Sequence, residues 1–280
     1  MIKSVCIVGC GWFGLPLAKA LVAHGVTVFG SKRELSQALA LKELGIDGFR
    51  LDLDDDVHLQ DDSAEITQML ATDCLIINIP PGLRKAPDAY LQRLTNLKQL
   101  IGDHSYKKLI FVSTTGVYPS IEGMFTECVE QDAKAHSEIS EKLLQAEALF
   151  VDNANACIVR FAGLVGPKRH PGRFLAGKTG LPGANSAVNL VHLNDCIVAV
   201  TTLLFNPAAS TVYNVCAPNH PTRQGFYPKA ASDLGLAAPQ FVDDGVESKL
   251  TGKSISSDRL IIEFSFEYQF SDPMDMLTAC

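Results

Sequence analysis

A strand-like run, Val5–Val8, leads directly into GCGWFG, and the helical pattern Leu15–His24 follows it. This order of strand, glycine turn and helix constrains the chain more than any other feature. Gly9, Gly11 and Gly14 stand at the G-x-G-x-x-G spacing. The first glycine permits a tight turn, the second lets the backbone approach a pyrophosphate, and the third lets helix and strand pack closely; the phosphate charge rests on the helix N-terminus. Gly9, Gly11, Trp12, Phe13 and Gly14 are therefore read as a dinucleotide-binding turn. A glycine turn kept only for packing is the alternative. Pro16 is tolerated just inside the helix, where its missing N–H would be unpaired anyway.

The same alternation continues down the chain. Apolar runs at Thr27–Phe29, Gly48–Leu53, Leu75–Ile79, Lys108–Ser113 and Cys157–Phe161 read as strands. Leu35–Leu44, Ala64–Leu70, Ala89–Ile101 and Ser137–Val151 read as helices between them. Strands apolar on both faces, separated by helices, predict a parallel sheet covered on both sides. After Phe161 glycine, proline and basic residues dominate as far as Ala184. A strand at Val188–His192, a helix at Asn194–Leu204, a strand at Val212–Cys216 and a helix at Tyr227–Leu234 follow. The expected fold is α/β: a Rossmann-type, doubly wound parallel sheet of about seven strands with a small C-terminal substrate lobe. Residues 1–161 with about 187–216 would form the NAD(P)-binding domain, and about 162–186 with 217–280 the smaller lobe.

Composition narrows the function classes. The chain has 280 residues, 47% of them hydrophobic and 20% charged, which excludes disorder and coiled coil. With 24 Lys and Arg against 31 Asp and Glu, the net charge is −7, so no broad nucleic-acid-binding face is expected. No apolar run reaches the ~18 residues of a membrane span. Lys3, the uncharged stretch Ser4–Ala18 and Ala18-Lys19-Ala20 imitate a signal peptide, but the glycine spacing within the stretch argues against secretion. The eight cysteines form no C-x-x-C pair, and Cys6, Cys74, Cys157, Cys196 and Cys216 sit in apolar runs. Buried free thiols and a cytoplasmic location are the expectation, with no metal site.

The second strand ends Gly30-Ser31-Lys32-Arg33, without the carboxylate that reads a ribose 2′-hydroxyl. A hydroxyl followed by two cations suits a 2′-phosphate, so NADP is favoured over NAD. A solvated turn is the alternative. Asp52, closing the third strand, would accept from the adenine amino group or cap a turn.

Ile110–Tyr118, IFVSTTGVY, ends a buried strand in Ser113, Thr114 and Thr115, and hydroxyls at that edge lie where ligands bind. With GCGWFG, RFAGLVGP (Arg160–Pro167), VHLNDC (Val191–Cys196) and YNVCAP (Tyr213–Pro218), the chain resembles the extended form of the short-chain dehydrogenase/reductase superfamily. That form is typical of nucleotide-sugar epimerases and dehydratases. Within it, HPGRF and AGKT are similar to the YeeZ-like branch of bacterial proteins. The resemblance implies that Thr114 hydrogen-bonds the reacting oxygen and that Tyr118 is a pocket residue. It implies that Ile79 and Pro80 cover the adenosine ribose and phosphates, and that Leu164 and Val165 pack the nicotinamide. It also implies a homodimer through Ala89–Ile101 and Ser137–Val151.

One part of the superfamily pattern is missing. Its acid/base is a tyrosine with lysine four residues on, and none of Tyr90, Tyr106, Tyr118, Tyr213, Tyr227 and Tyr268 has that lysine. Lys142 either keeps the lysine position or is an ordinary helix-surface lysine. His136 and Glu138 are candidates for a substitute acid.

Lys168, Arg169, His170, Arg173 and Lys178 fall within eleven residues of this acidic chain. Clustered cations suit a phosphorylated substrate, such as the diphosphate of a nucleotide sugar; a solvated loop or an oligomer contact is the alternative. His192 and Asp195 are read as orienting backbone. The function expected is an NADP-dependent oxidoreductase or epimerase/dehydratase acting on a phosphorylated sugar. The rival is a coenzyme-binding sensor that lacks the acid.

Overall fold

The computed structural model of the chain describes residues 1–54, 63–82, 87–128, 137–153, 155–206, 211–242 and 250–280. In chain order its elements begin with β1 (Ser4–Val8), α1 (Gly14–Ala23), β2 (Thr27–Lys32), α2 (Leu35–Leu39), β3 (Ile46–Arg50), α3 (Ser63–Leu70), β4 (Cys74–Ile77), α4 (Pro87–Ile101) and β5 (Lys108–Thr114). There follow β6 (Gly123–Phe125), α5 (Glu138–Val151), β7 (Ala156–Phe161), β8 (Gly163–Val165), β9 (Leu190–His192), α6 (Leu193–Phe205) and β10 (Val212–Val215). The last elements are α7 (Arg223–Asp233), β11 (Lys253–Ile255), α8 (Asp258–Phe264) and α9 (Pro273–Met276).

Seven strands form one sheet in the order β10-β7-β5-β4-β1-β2-β3. β1 pairs in parallel with β2 on one side and β4 on the other, and β2–β3 and β4–β5 are also parallel. The chain therefore winds outward in both directions from β1, and ligands of such sheets bind at that reversal, outside the carboxyl ends of the strands. This is the doubly wound α/β sheet expected from the sequence. The chain divides into two compact units: Met1–Ser113 with Glu138–Val159 and Val200–Val212, and Thr114–Ser137 with Arg160–Ala199 and Tyr213–Cys280.

In the first unit the central strands are buried on both faces. Val5, Cys6 and Ile7 of β1 and all four residues of β4 are fully enclosed. Each large aliphatic side chain so buried contributes about 1.5–3 kcal/mol. Leu17, Ala18 and Leu21 form the buried stripe of α1, which stops at Gly25 in the left-handed conformation (φ 77°). The expected helix over Leu35–Leu44 is shorter than its pattern: after Leu39 the backbone tightens into a 3-10 turn, Ala40–Leu44, ended by Gly45 at φ 72°. The second strand is longer than expected and runs on to Lys32, because pairing with β3 continues to Lys32 opposite Arg50.

The second unit has its own core of Val165, Val188, Leu190, Ala217, Phe226, Ala230, Met276 and Leu277. Two short parallel pairs, β8–β9 and β6–β11, brace it. α7 starts four residues before its expected position. Thr222 caps it by accepting from the Gly225 N–H at 3.2 Å, and Pro228 lies within the helix. All eight cysteines are free, and Cys6, Cys10, Cys74, Cys157, Cys196 and Cys216 are buried. Burial pushes the Cys10 thiol up to about 12 and Cys74 to about 11. No helix of the described residues is long and apolar enough to cross a membrane.

Candidate functional site

The three glycines of the first turn do different work. Gly9 has φ 101°, and a Cβ there would lie 2.3 Å from the Asn78 carbonyl oxygen. A Cβ on Gly14 would lie 2.2 Å from the Gly9 carbonyl oxygen. Both positions are glycine because backbone passes too close for any side chain. Gly11 is different. A Cβ there would meet nothing within 4 Å, and its φ is not in the left-handed region. Neither packing nor backbone geometry requires glycine at position 11; a ligand backbone lying against the turn would.

Side chains from the neighbouring strands hold this turn. Ser31, near the end of β2, accepts the Gly9 N–H on its Oγ at 2.9 Å, and its carbonyl accepts from Cys10 N–H at 3.1 Å. Asn78, immediately after β4, donates from Nδ2 to the Gly9 carbonyl at 3.0 Å. Asn78 was not singled out from the sequence. Its signal was the one used for Thr114, a polar residue closing a buried parallel strand. Phe13 is the N-cap residue of α1 and makes no side-chain cap; its ring is 3% exposed, so it is a core residue, while Trp12 is partly exposed.

The residues at the end of β2 and just after it are engaged as follows. Ser31 is 4% exposed and its hydroxyl is used on the turn. Lys32 is half-buried at the strand end. Arg33 is exposed, but its Nη2 reaches Asp52 Oδ1 at 3.4 Å and pairs with Asp54. Asp52 also accepts the Asp54 N–H at 3.1 Å, a turn-capping contact. Asp54 takes a two-pronged contact from Arg93 of α4, at 2.5 and 3.0 Å. Arg33 therefore comes with two carboxylates. Ile79 is half-buried and Pro80 exposed in the loop after β4.

On α5, Lys142 pairs with Asp88 of α4 and lies 3.7 Å from Glu138. The Asp88 hydrogen bond, with Glu138 adding, raises the lysine above its ordinary range. Lys142 is thus held as a cation between carboxylates, and Glu138 is engaged with it. Nearby in the same unit, Ser113 Oγ donates to the buried Glu147 carboxylate at 2.5 Å. His136 lies outside the described residues.

In the second unit, Thr114 ends β5 and caps a 3-10 turn, Thr115–Val117, by accepting from the Gly116 N–H at 3.2 Å. Lys253, from β11, donates to the carbonyls of Thr115 (3.3 Å) and Tyr118 (3.1 Å) and so pins the same turn. Burial lowers the Lys253 pKa. Tyr118 is 2% exposed. Its hydroxyl donates to Asn214 Oδ1 at 2.7 Å and accepts from Arg160 Nη1 at 2.9 Å. The Asn214 N–H donates to Glu127 Oε1 at 3.0 Å, which closes a buried polar network. Burial raises the Tyr118 pKa against the lowering effect of Arg160. The Tyr118 hydroxyl thus donates one hydrogen bond and accepts one within this buried network.

The basic loop belongs to the second unit as well. Gly166 to Arg169 form a tight turn, with Arg169 N–H on the Gly166 carbonyl at 2.8 Å and Lys168 left-handed at φ 65°. Lys168, Arg169, Arg173 and Lys178 are exposed. His170 is not among them: it is buried, and its Nδ1 accepts the Gly172 N–H at 3.0 Å, capping the turn Pro171–Arg173. A Cβ on Gly172 would lie 2.1 Å from the Ala230 carbonyl, so the loop is seated directly on α7. Leu164 is half-buried and Val165 fully buried in β8. His192 binds the Ala279 carbonyl and the Asn194 N–H, and Asp195 accepts the N–H groups of Gln269 and Phe270.

A doubly wound parallel sheet that opens on this turn is a Rossmann-type α/β fold. Solved structures share the fold. A dTDP-glucose 4,6-dehydratase of Bacillus anthracis in complex with NAD superposes with a TM-score of 0.75 at 16% identity, covering 99% of this chain and 95% of that one. A UDP-glucuronic acid 4-epimerase of Bacillus cereus in complex with NAD gives 0.71 at 17% identity, covering 99% and 97%. No protein-family model matches the chain. It is 40% identical over 281 residues to Protein YeeZ of Escherichia coli K12, covering 98% of each, and so belongs to the YeeZ family.

Proposed function

We propose that this protein binds a nicotinamide dinucleotide at the turn of Gly9, Gly11 and Gly14 and acts as an epimerase/dehydratase or oxidoreductase on a phosphorylated sugar or nucleotide sugar. The observation that carries the proposal is Gly11, open to solvent and glycine without any demand from packing or backbone strain. A pyrophosphate would approach there and lie at the N-terminus of α1, where the helix dipole favours negative charge. The fold's occurrence in a dehydratase and an epimerase that hold NAD supports the reading. When bound, the coenzyme supplies hydride transfer; the protein supplies orientation and a dry surface. Thr114 is the group assigned to the reacting oxygen. The cations Lys168, Arg169 and Arg173 are assigned to the substrate's phosphate, to which guanidinium groups bond in pairs.

A second reading has its own observation. No tyrosine here carries the lysine of the usual acid/base, and Lys142 is engaged by two carboxylates. A coenzyme-binding sensor fits that state, because a lost general acid lowers the rate by roughly 10²–10⁴. Titration with NADH and NADPH, followed by turnover assays on UDP- and dTDP-sugars, separates the two. Coenzyme binding with turnover establishes the enzyme. Tight binding with no turnover across the panel establishes the sensor. Absence of binding to either nucleotide refutes both.

A further inference from the structure

We propose that Asp54 and Arg93 set the coenzyme preference, with the Asp54 carboxylate holding the seat that a 2′-phosphate would take. This inference rests on dinucleotide binding at the glycine turn. The two residues lie where that turn predicts the ribose end. Ser31 touches Gly9, Arg33 follows two residues later, and the Leu51 N–H donates to the Lys32 carbonyl at 2.8 Å, which carries the β3 chain on to Asp52 and Asp54. In doubly wound dinucleotide sites, the residue about 20 positions beyond the glycines reads the 2′ position.

Asp54 is engaged from both sides. Arg93 places Nε and Nη2 on its two oxygens, the paired geometry in which a guanidinium holds either a carboxylate or a phosphate. Arg33 adds an N–H to the same carboxylate. The Asn96 side chain, three residues along α4, donates to the Leu53 carbonyl at 3.0 Å and fixes the loop against the helix. The Arg93 bond, with Arg33 adding, holds the Asp54 carboxyl below its ordinary range, so it is an anion at neutral pH. The cluster is accessible, with Arg33 57%, Asp54 39% and Arg93 23% exposed.

Two guanidinium groups converging on one exposed anion form a phosphate-monoester seat with a carboxylate already in it. A 2′-phosphorylated coenzyme exchanges its phosphate for that carboxylate and gives up the two ion pairs. A coenzyme with a free 2′-hydroxyl leaves the pairs in place and donates to the carboxylate. The wild-type protein therefore accepts both coenzymes, with a modest preference. Removing the charge of Asp54 opens the seat to NADP. Arg93 is the residue that the Gly30–Arg33 stretch does not contain and that makes the seat two-sided.

The test is a fluorescence titration of the full chain with NADPH and NADH, for wild type, Asp54→Asn and Arg93→Gln. Asp54→Asn is expected to raise the NADPH-over-NADH affinity ratio by about tenfold or more, the scale of one charge-assisted hydrogen bond. Arg93→Gln is expected to lower the same ratio while leaving NADH within about twofold, which is under 1 kcal/mol. A ratio unmoved by both substitutions, in a protein that binds coenzyme, overturns this inference alone. Failure of the wild type to bind either coenzyme overturns the inference together with the dinucleotide reading. If Asp54→Asn fails to fold, the Arg93→Gln ratio decides.

Discussion

The Asn78 amide donates to the Gly9 carbonyl at 3.0 Å, so the residue that follows β4 fixes the turn that follows β1. Gly9 passes 2.3 Å (to a notional Cβ) from the Asn78 carbonyl in return. The two strands that flank the winding reversal are thus locked at their carboxyl ends by one side chain and one missing side chain.

Asn78→Ala removes that bond and leaves the Gly9 carbonyl without it. The expected cost is about 1 kcal/mol in urea unfolding. NADH affinity should fall as well, because the turn loses its clamp. Unchanged affinity at the same stability cost would mean that the clamp serves the fold alone.

Tyr118→Phe tests the bracing network of the second unit. The change strips a partner from Arg160 Nη1 and from Asn214 Oδ1, both buried. A loss of about 1–3 kcal/mol in stability is expected, the cost of leaving buried polar groups short of a partner. Coenzyme affinity should stay within experimental scatter. A stable Tyr118→Phe protein with altered turnover would place Tyr118 at the substrate.

Asp73 gives the acid limb of the stability profile a specific cause. Its carboxylate takes Lys107 Nζ at 2.7 Å and the N–H groups of Lys3 (2.6 Å) and Ser4 (3.3 Å), tying the starts of β1 and β4. The Lys107 bond first, then the Lys3 amide, lowers the Asp73 pKa from 3.8 to about 2. A depressed folded pKa adds stability that is complete above the unfolded value and lost as pH falls toward the folded one. Asp73→Asn should therefore lower Tm above pH 4 and converge with wild type as pH approaches about 2, read by thermal melts across that range. A constant Tm difference at all pH values would contradict the assignment.

What the sequence disclosed, and what it did not, follows from the range of the forces involved. β4, apolar at every position, and β7, apolar but for Arg160, were legible because a strand buried on both faces has no polar face to write. The glycine turn was legible because close backbone approach leaves glycine as the only residue that fits at positions 9 and 14. β6, β8 and β11 were not: each has three residues, and β6 exists through pairing with β11, more than a hundred residues away. Leu35–Leu44 carried a continuous helical pattern, yet it breaks at Ala40. At the candidate site, the basic residues were visible but their partners were not. Ser31, Lys32 and Arg33 were visible as a hydroxyl and two cations, but the delivery of Asp52, Asp54 and Arg93 to Arg33 by the chain beyond β3 and by α4 was not. His170 read as part of the cationic loop, but the three-residue turn Pro171–Arg173 recruits its ring as a cap.

Gly11→Ala tests the central claim most directly, with Gly14→Ala as its counterpart. Open space surrounds a Cβ at 11, whereas a Cβ at 14 collides with the Gly9 carbonyl. Thermal melts and NADH titrations of the two variants should therefore diverge. Gly11→Ala is expected to melt within about 1 °C of wild type, since substitutions clear of neighbours change stability by under about 0.5 kcal/mol, and to bind NADH at least tenfold more weakly. Gly14→Ala is expected to melt well below wild type. Wild-type NADH affinity in a fully folded Gly11→Ala protein would contradict the claim that a dinucleotide lies against this turn.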